Sequence, residues 1–145
     1  MPHKKKILFL CTGNSCRSQM AEGWTRHLLS DRLEAYSAGI ETHGLNPHAV
    51  RVMGDAGIDI SWHRSKHLNE LIEIPFDYVI TVCDHARESC PLFPGNVQRI
   101  HASFEDPPLL ASHVEGEENK LDCYRKVRDQ IKEFIVDLPR RLELV

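Results

Sequence analysis

Nowhere in the 145-residue chain does an apolar run approach the roughly 18 residues of a membrane helix. The first residues also lack the charged, apolar, small-residue order of a secretory signal, so a cytoplasmic protein is expected. Basic excess is missing too. With 18 lysines and arginines against 21 acidic residues, the net charge of −3 leaves no footprint of a dedicated nucleic-acid binder. Lysines 4–6 are too short a run to change this and read as a solvated cap on the first strand. There is no internal repeat, low-complexity segment or linker, and one domain over residues 1–145 is expected. The cysteines are few and odd in number: five in a chain without an export signal argue against a disulfide framework and for reactive thiols. The histidines number nine, yet His63, His67 and His85 fit neither H-E-x-x-H nor a CxxC partner, so no metal site is expected.

What is present is an alternation of two periods. Lys6–Leu10 carries an unbroken apolar run, as a strand covered on both faces does. Met20, Trp24 and Leu28 then recur at helical spacing from a start near Ser15 or Arg17. Ala35–Ile40 predicts a second strand, and Asn46-Pro47 opens a second helix that Gly57 stops. Phe76–Val82 is the segment richest in β-branched residues, and Gly95-Asn96 turns the chain into a fourth strand over Val97–Ala102. His113–Asn119 reads as a charged loop, after which Leu121 to Leu138 keep helical spacing to the end. This alternation predicts an α/β fold, a roughly four-stranded parallel sheet between helical layers. Ligands of such folds sit at the carboxyl ends of strands, where Cys11 falls.

The stretch Cys11-Thr-Gly-Asn-Ser-Cys-Arg17-Ser18 joins the first strand to the first helix. The unpaired N–H groups and dipole of a helix start favour an anion, so Thr12, Gly13, Asn14, Ser15 and Cys16 read as a backbone cradle. Arg17 adds a guanidinium able to hold two oxygens. The same field stabilises a thiolate, which makes Cys11 a nucleophile, with Ser18 as a further donor to its sulfur. A nucleotide P-loop is a poor alternative, because G-x-x-x-x-G-K-[ST] is absent and no lysine follows the loop. Cys16 is expected to pack behind the loop and Cys123 to be inert.

Thiolate attack on a tetrahedral oxyanion expels a poor leaving group, so a general acid is needed. Asp106, in Phe104-Glu-Asp-Pro-Pro108, follows the fourth strand and ranks ahead of Glu105. Cys83 ends the strongest strand at the same sheet edge as Cys11, and Cys90 follows seven residues later. Hydrolysis requires neither thiol, whereas a reduction draws two electrons that paired thiols can supply.

The loop Cys11–Ser18 resembles that of the low-molecular-weight tyrosine phosphatases and of the thioredoxin-coupled arsenate reductases that share their fold. Gln19-Met-Ala-Glu-Gly23, Tyr36-Ser-Ala-Gly39 and His43-Gly-Leu-Asn-Pro47 are similar to the arsenate reductase branch. That resemblance implies a three-cysteine relay. Cys11 attacks arsenate, Asp106 protonates the departing oxygen, and Cys83 attacks Cys11 to release arsenite. Cys90 then draws the disulfide to Cys83–Cys90, where thioredoxin reduces it. A helix over these residues would set the two thiols about 10 Å apart, so the segment must loop out to close the bond. A monomer with no tightly bound cofactor is expected. The rival is a low-molecular-weight phosphatase acting on phosphate monoesters through a cysteinyl-phosphate. Against it stand Pro-Pro-Leu-Leu after Asp106 in place of an aromatic wall and Gln19 in place of a proline. A third class, a noncatalytic oxyanion or redox sensor, would keep the loop without turnover. Some relatives also hold potassium beneath the loop, at positions matching Asn14, Glu22 and Ser37. Lys66 stands where they carry an aspartate, which implies an ammonium in the ion's place, pairing with Glu22 and donating to Asn14 and Ser37.

Overall fold

The apolar run near the start of the chain becomes an inner strand of the sheet, β1 (Lys5–Cys11). In the computed structural model, which describes residues 4–91, 93 and 95–144, Ile7, Leu8, Phe9 and Leu10 are all 0% exposed. Successive strand side chains point to opposite faces, so both faces of the sheet are covered here. Burying each of these side chains contributes roughly 1.5–3 kcal/mol.

The chain continues through α1 (Arg17–Leu28), β2 (Leu33–Gly39), α2 (Pro47–Asp55), β3 (Tyr78–Thr81), α3 (Asp84–Ser89), β4 (Gln98–His101), α4 (Pro107–Ala111) and α5 (Glu117–Arg141). The four strands are parallel, in the order β2-β1-β3-β4. The expected α/β architecture is thus present, with strand ends displaced by up to two residues. Helix α5 packs on α1, α2 and α4, while α3 packs on β1 and β3. Asn46 caps α2, accepting from the N–H groups of His48 and Ala49, and Pro47 occupies its first turn.

Two readings change. The Pro107-Pro108 stretch, expected as a stiff loop, opens α4, because proline lacks the N–H that a first helical turn leaves unpaired anyway. The charged loop expected over His113–Asn119 is shorter, since α5 begins at Glu117 with Gly116 as its N-cap at φ 86°. Glu117 and Glu118 then sit in the first turn, where the helix dipole favours acids.

Register fixes the edge that matters. Leu10 of β1 lies opposite Thr81 of β3, and Thr81 opposite His101 of β4. Cys11, Cys83 and the segment leading to Asp106 therefore emerge at one carboxyl edge.

Candidate active site

Between β1 and α1 the backbone turns its carbonyls away from a cavity of about 300 Å³ lined by Cys11, Arg17, His43 and Asp106 among others. The carbonyls of Cys11, Thr12, Gly13, Ser15 and Cys16 accept from the N–H groups of Ile40, Glu41, His43, Asn46 and Met20. That of Asn14 accepts from the Gln19 side chain at 3.1 Å. With every carbonyl committed to the scaffold, the groups left to face the cavity are N–H donors. Among the described residues, the N–H groups of residues 13–16 meet no acceptor. This is a cradle for an oxyanion.

The cradle depends on two unusual backbone positions. Asn14 is fully buried at φ 49°, a left-handed conformation that asparagine tolerates better than most residues. Its side chain is fixed by donating to Ser18 Oγ at 2.9 Å and accepting from Gln19 Nε2 at 3.0 Å and the Lys66 N–H at 2.8 Å. Gly39, at the end of β2, allows the loop to approach: a Cβ there would lie 2.7 Å from both Asn14 N and Thr12 O.

Arg17 is 13% exposed, donates to the Phe104 carbonyl at 2.9 Å and lies 3.7 Å from Asp106 Oδ1. This aims the guanidinium at the cavity and brings Asp106 to its mouth. Asp106 is the N-cap of α4, yet its side chain makes no capping bond, which leaves the carboxyl free to face inward. Glu105 points elsewhere, to Lys126 at 3.5 Å.

Cys11 and Cys83, both buried, lie close enough at this edge for each thiol to perturb the other. Contact with the Cys11 thiol, followed by the Thr12 hydroxyl, the Ala86 N–H and Arg17, pulls Cys83 down to about 5 against the opposing effect of burial. The Cys83 contact and burial push Cys11 up, with Arg17 acting against them. Ser18, expected as a donor to Cys11, has its hydroxyl oxygen fixed by accepting from Asn14 Nδ2 at 2.9 Å. Cys83 also caps α3, its sulfur accepting the Ala86 N–H at 3.4 Å, while Cys90 follows the last residue of that helix. All five cysteines are free thiols. Cys16 is buried, with burial pushing its thiol up, and it counts among the residues that line the cavity.

Beneath the loop, Lys66 Nζ lies 3.9 Å from Glu22 Oε1, as expected, but its hydrogen bond goes to the Arg64 carbonyl at 2.9 Å. Asn14 is met by the Lys66 backbone, and Ser37 donates to Glu22 at 2.6 Å. Two histidines at the site were not read from the sequence as functional. His43 lines the cavity and roofs Gly13, while His85 lies 3.2 Å from the Thr12 hydroxyl. Position His85, two residues after a strand-ending cysteine, was the available signal. Among the described residues no helix is long and apolar enough to cross a membrane.

Three comparisons bear on this geometry. The family described as low molecular weight phosphotyrosine protein phosphatase matches residues 6–143. An arsenate reductase of Bacillus licheniformis is 52% identical over 133 residues, 91% of this chain and 93% of that protein. A solved arsenate reductase in its oxidized state superposes with a TM-score of 0.74 at 32% identity, covering 94% of this chain and 98% of that one. A low molecular weight protein tyrosine phosphatase from T. tengcongensis gives 0.73 at 29% identity over 95% and 99%. The fold alone does not separate the two activities.

Proposed function

This chain belongs to the low molecular weight phosphotyrosine protein phosphatase family, and we infer that within it the protein reduces arsenate to arsenite. The observation that carries this reading is that Cys11, which lines the oxyanion cavity, has a second buried thiol, Cys83, beside it at the same sheet edge. Ester hydrolysis through a cysteinyl-phosphate needs one thiol and water; a second sulfur beside the first offers a way to make a disulfide.

In the proposed reaction the loop N–H groups and Arg17 hold arsenate, and Cys11 attacks arsenic as a thiolate after its proton passes to Cys83. Asp106 protonates the oxygen that leaves as water. Cys83 then attacks Cys11: the S–S bond forms, the S–As bond breaks, and arsenic keeps the pair as arsenite. Attack by Cys90 transfers the bond to Cys83–Cys90. That closure requires α3 to unwind, because seven residues in helix would set Cys83 and Cys90, which flank it, about 10 Å apart. Only Ala86 of its six residues is buried, so unwinding exposes little apolar surface. Thioredoxin is the proposed reductant of the resulting bond.

The test supplies arsenate with thioredoxin, thioredoxin reductase and NADPH, with p-nitrophenyl phosphate in a parallel assay. Arsenite formed one-for-one with NADPH oxidised supports the reading. Phosphate release without NADPH consumption assigns the phosphatase activity instead.

A further inference from the structure

The Thr12 hydroxyl stands between a buried sulfur and an exposed imidazole. Its Oγ1 is 3.2 Å from Cys83 Sγ and 3.2 Å from His85 Nδ1. Cys83 is 3% exposed, whereas His85 faces solvent. We propose that His85 takes the proton off Cys83 through Thr12, so that Cys83 attacks as a thiolate once Cys11 is bonded to arsenic.

A hydroxyl has one proton to give, and the geometry permits two arrangements. In the first, the Cys83 thiol donates to Thr12 and Thr12 donates to an unprotonated Nδ1 of His85. In the second, a protonated Nδ1 donates to Thr12 and Thr12 donates to the Cys83 thiolate. Two short proton transfers interconvert them without moving a heavy atom.

The reaction creates the need for this path. The Cys11 thiol is the chief group lowering the pKa of Cys83. When Cys11 attacks arsenate its proton goes to Cys83, and the sulfur now bonded to arsenic can no longer donate. Cys83 is left as a buried thiol, and a thiol is a poor nucleophile. Transfer through Thr12 leaves the proton on His85, from which water removes it. The disulfide then forms, both sulfurs being oxidised as arsenic goes from As(V) to As(III).

Other charged groups face this region without reaching the hydroxyl. Cys11 and Arg17 come from β1 and α1; Asp84, Arg87 and Glu88 lie on α3 itself. His101 of β4 has both ring nitrogens engaged, with Thr81 at 2.7 Å and Asp84 at 3.0 Å, and Arg99 donates to the Pro91 carbonyl at 2.8 Å. Among the described residues the side-chain partners of the Thr12 hydroxyl are Cys83 and His85.

His85 acts through Thr12 and is a positioning residue in the proposed reaction, on whose arsenate-reducing reading this inference rests. The decisive variant is His85→Gln, at an exposed site where folding is not at stake, compared in a Cys90→Ser background that stops at the Cys11–Cys83 bond. Single-turnover formation of that bond at neutral pH should slow by about 10²-fold and its pH profile should lose an inflection. Added imidazole should restore part of the rate, and His85→Gln should slow the reaction no further in a Thr12→Val background. An unchanged rate, or slowing with the inflection kept, overturns the proposal. A second measurement needs no arsenate: alkylation of Cys83 by iodoacetamide in Cys11→Ala, where the Cys11 donor is gone. There His85→Gln should lower the rate at neutral pH about tenfold, equal to one pK unit; an unchanged rate overturns the path. If the unmodified protein makes no arsenite, the arsenate reading fails while this second result still decides the proton path.

Discussion

The oxyanion loop and the segment that carries the second thiol pair are built in opposite ways. Asn14, Ser18 and Gln19 are fully buried, and each loop carbonyl from Cys11 to Cys16 is tied to the scaffold. Helix α3 has six residues, one of them buried, and is capped by the Cys83 sulfur, which the proposed reaction uses as a nucleophile. A site that stabilises charge in a transition state gains from donors that do not reorganise. A segment that must carry a disulfide outward gains from being cheap to unfold. In the proposed reaction the first region does the chemistry and the second carries the oxidising equivalents outward.

The largest expected effect removes the chemistry altogether. Cys11→Ser should lower arsenate turnover by roughly 10³-fold or more, because serine is not ionised near neutral pH. Arsenite release at a comparable rate would take Cys11 out of its role. Cys90→Ser should separate the regions: one arsenite per protein, then a halt with Cys11 and Cys83 joined, seen by mass mapping after alkylation. Continued thioredoxin-driven cycling in that variant would break the comparison. Asp106→Asn should slow formation of the Cys11 adduct by about 10²-fold or more, measured in single-turnover experiments, and leave reduction of a preformed Cys83–Cys90 bond unaffected.

Stability should show the same contrast. Gly39→Ala presses a methyl group on the Asn14 N–H and the Thr12 carbonyl, and should cost about 1–3 kcal/mol in urea unfolding. Glu88→Ala, exposed on α3, should stay within about 0.5 kcal/mol. Equal effects would mean the loop is no more tightly held than the carrier. The smallest effect concerns His63, whose side chain is 2% exposed and whose pKa burial lowers from its usual value. An unfolded histidine binds a proton more readily, so stability should decline as pH falls below the ordinary imidazole value of about 6.5. In His63→Gln that part of the decline should be absent from thermal melts taken across the range.

Much of this was legible in the residues. The parallel sheet, the loop at the end of β1 and the emergence of Cys83 and Asp106 at the same edge follow from apolar runs and thiol placement. The Pro-Pro start of α4 was hidden because the same dipeptide signals a stiff loop, and the packing of α4 on α5 is a long-range contact that spacing does not reveal. Ser18 is read as a donor to Cys11 because both belong to one loop; that its oxygen is held by Asn14 is set by a left-handed backbone that spacing does not reveal. His85 and Thr12 are 73 positions apart, and only the register of β1 on β3 brings them together.

The most direct measurement maps the disulfides after one equivalent of arsenate is added to the fully reduced protein without thioredoxin. The account predicts one arsenite per protein and a single bridge between Cys83 and Cys90, with Cys11, Cys16 and Cys123 still free. Five free thiols after complete mixing with arsenate, together with turnover of a phosphate ester, would contradict it.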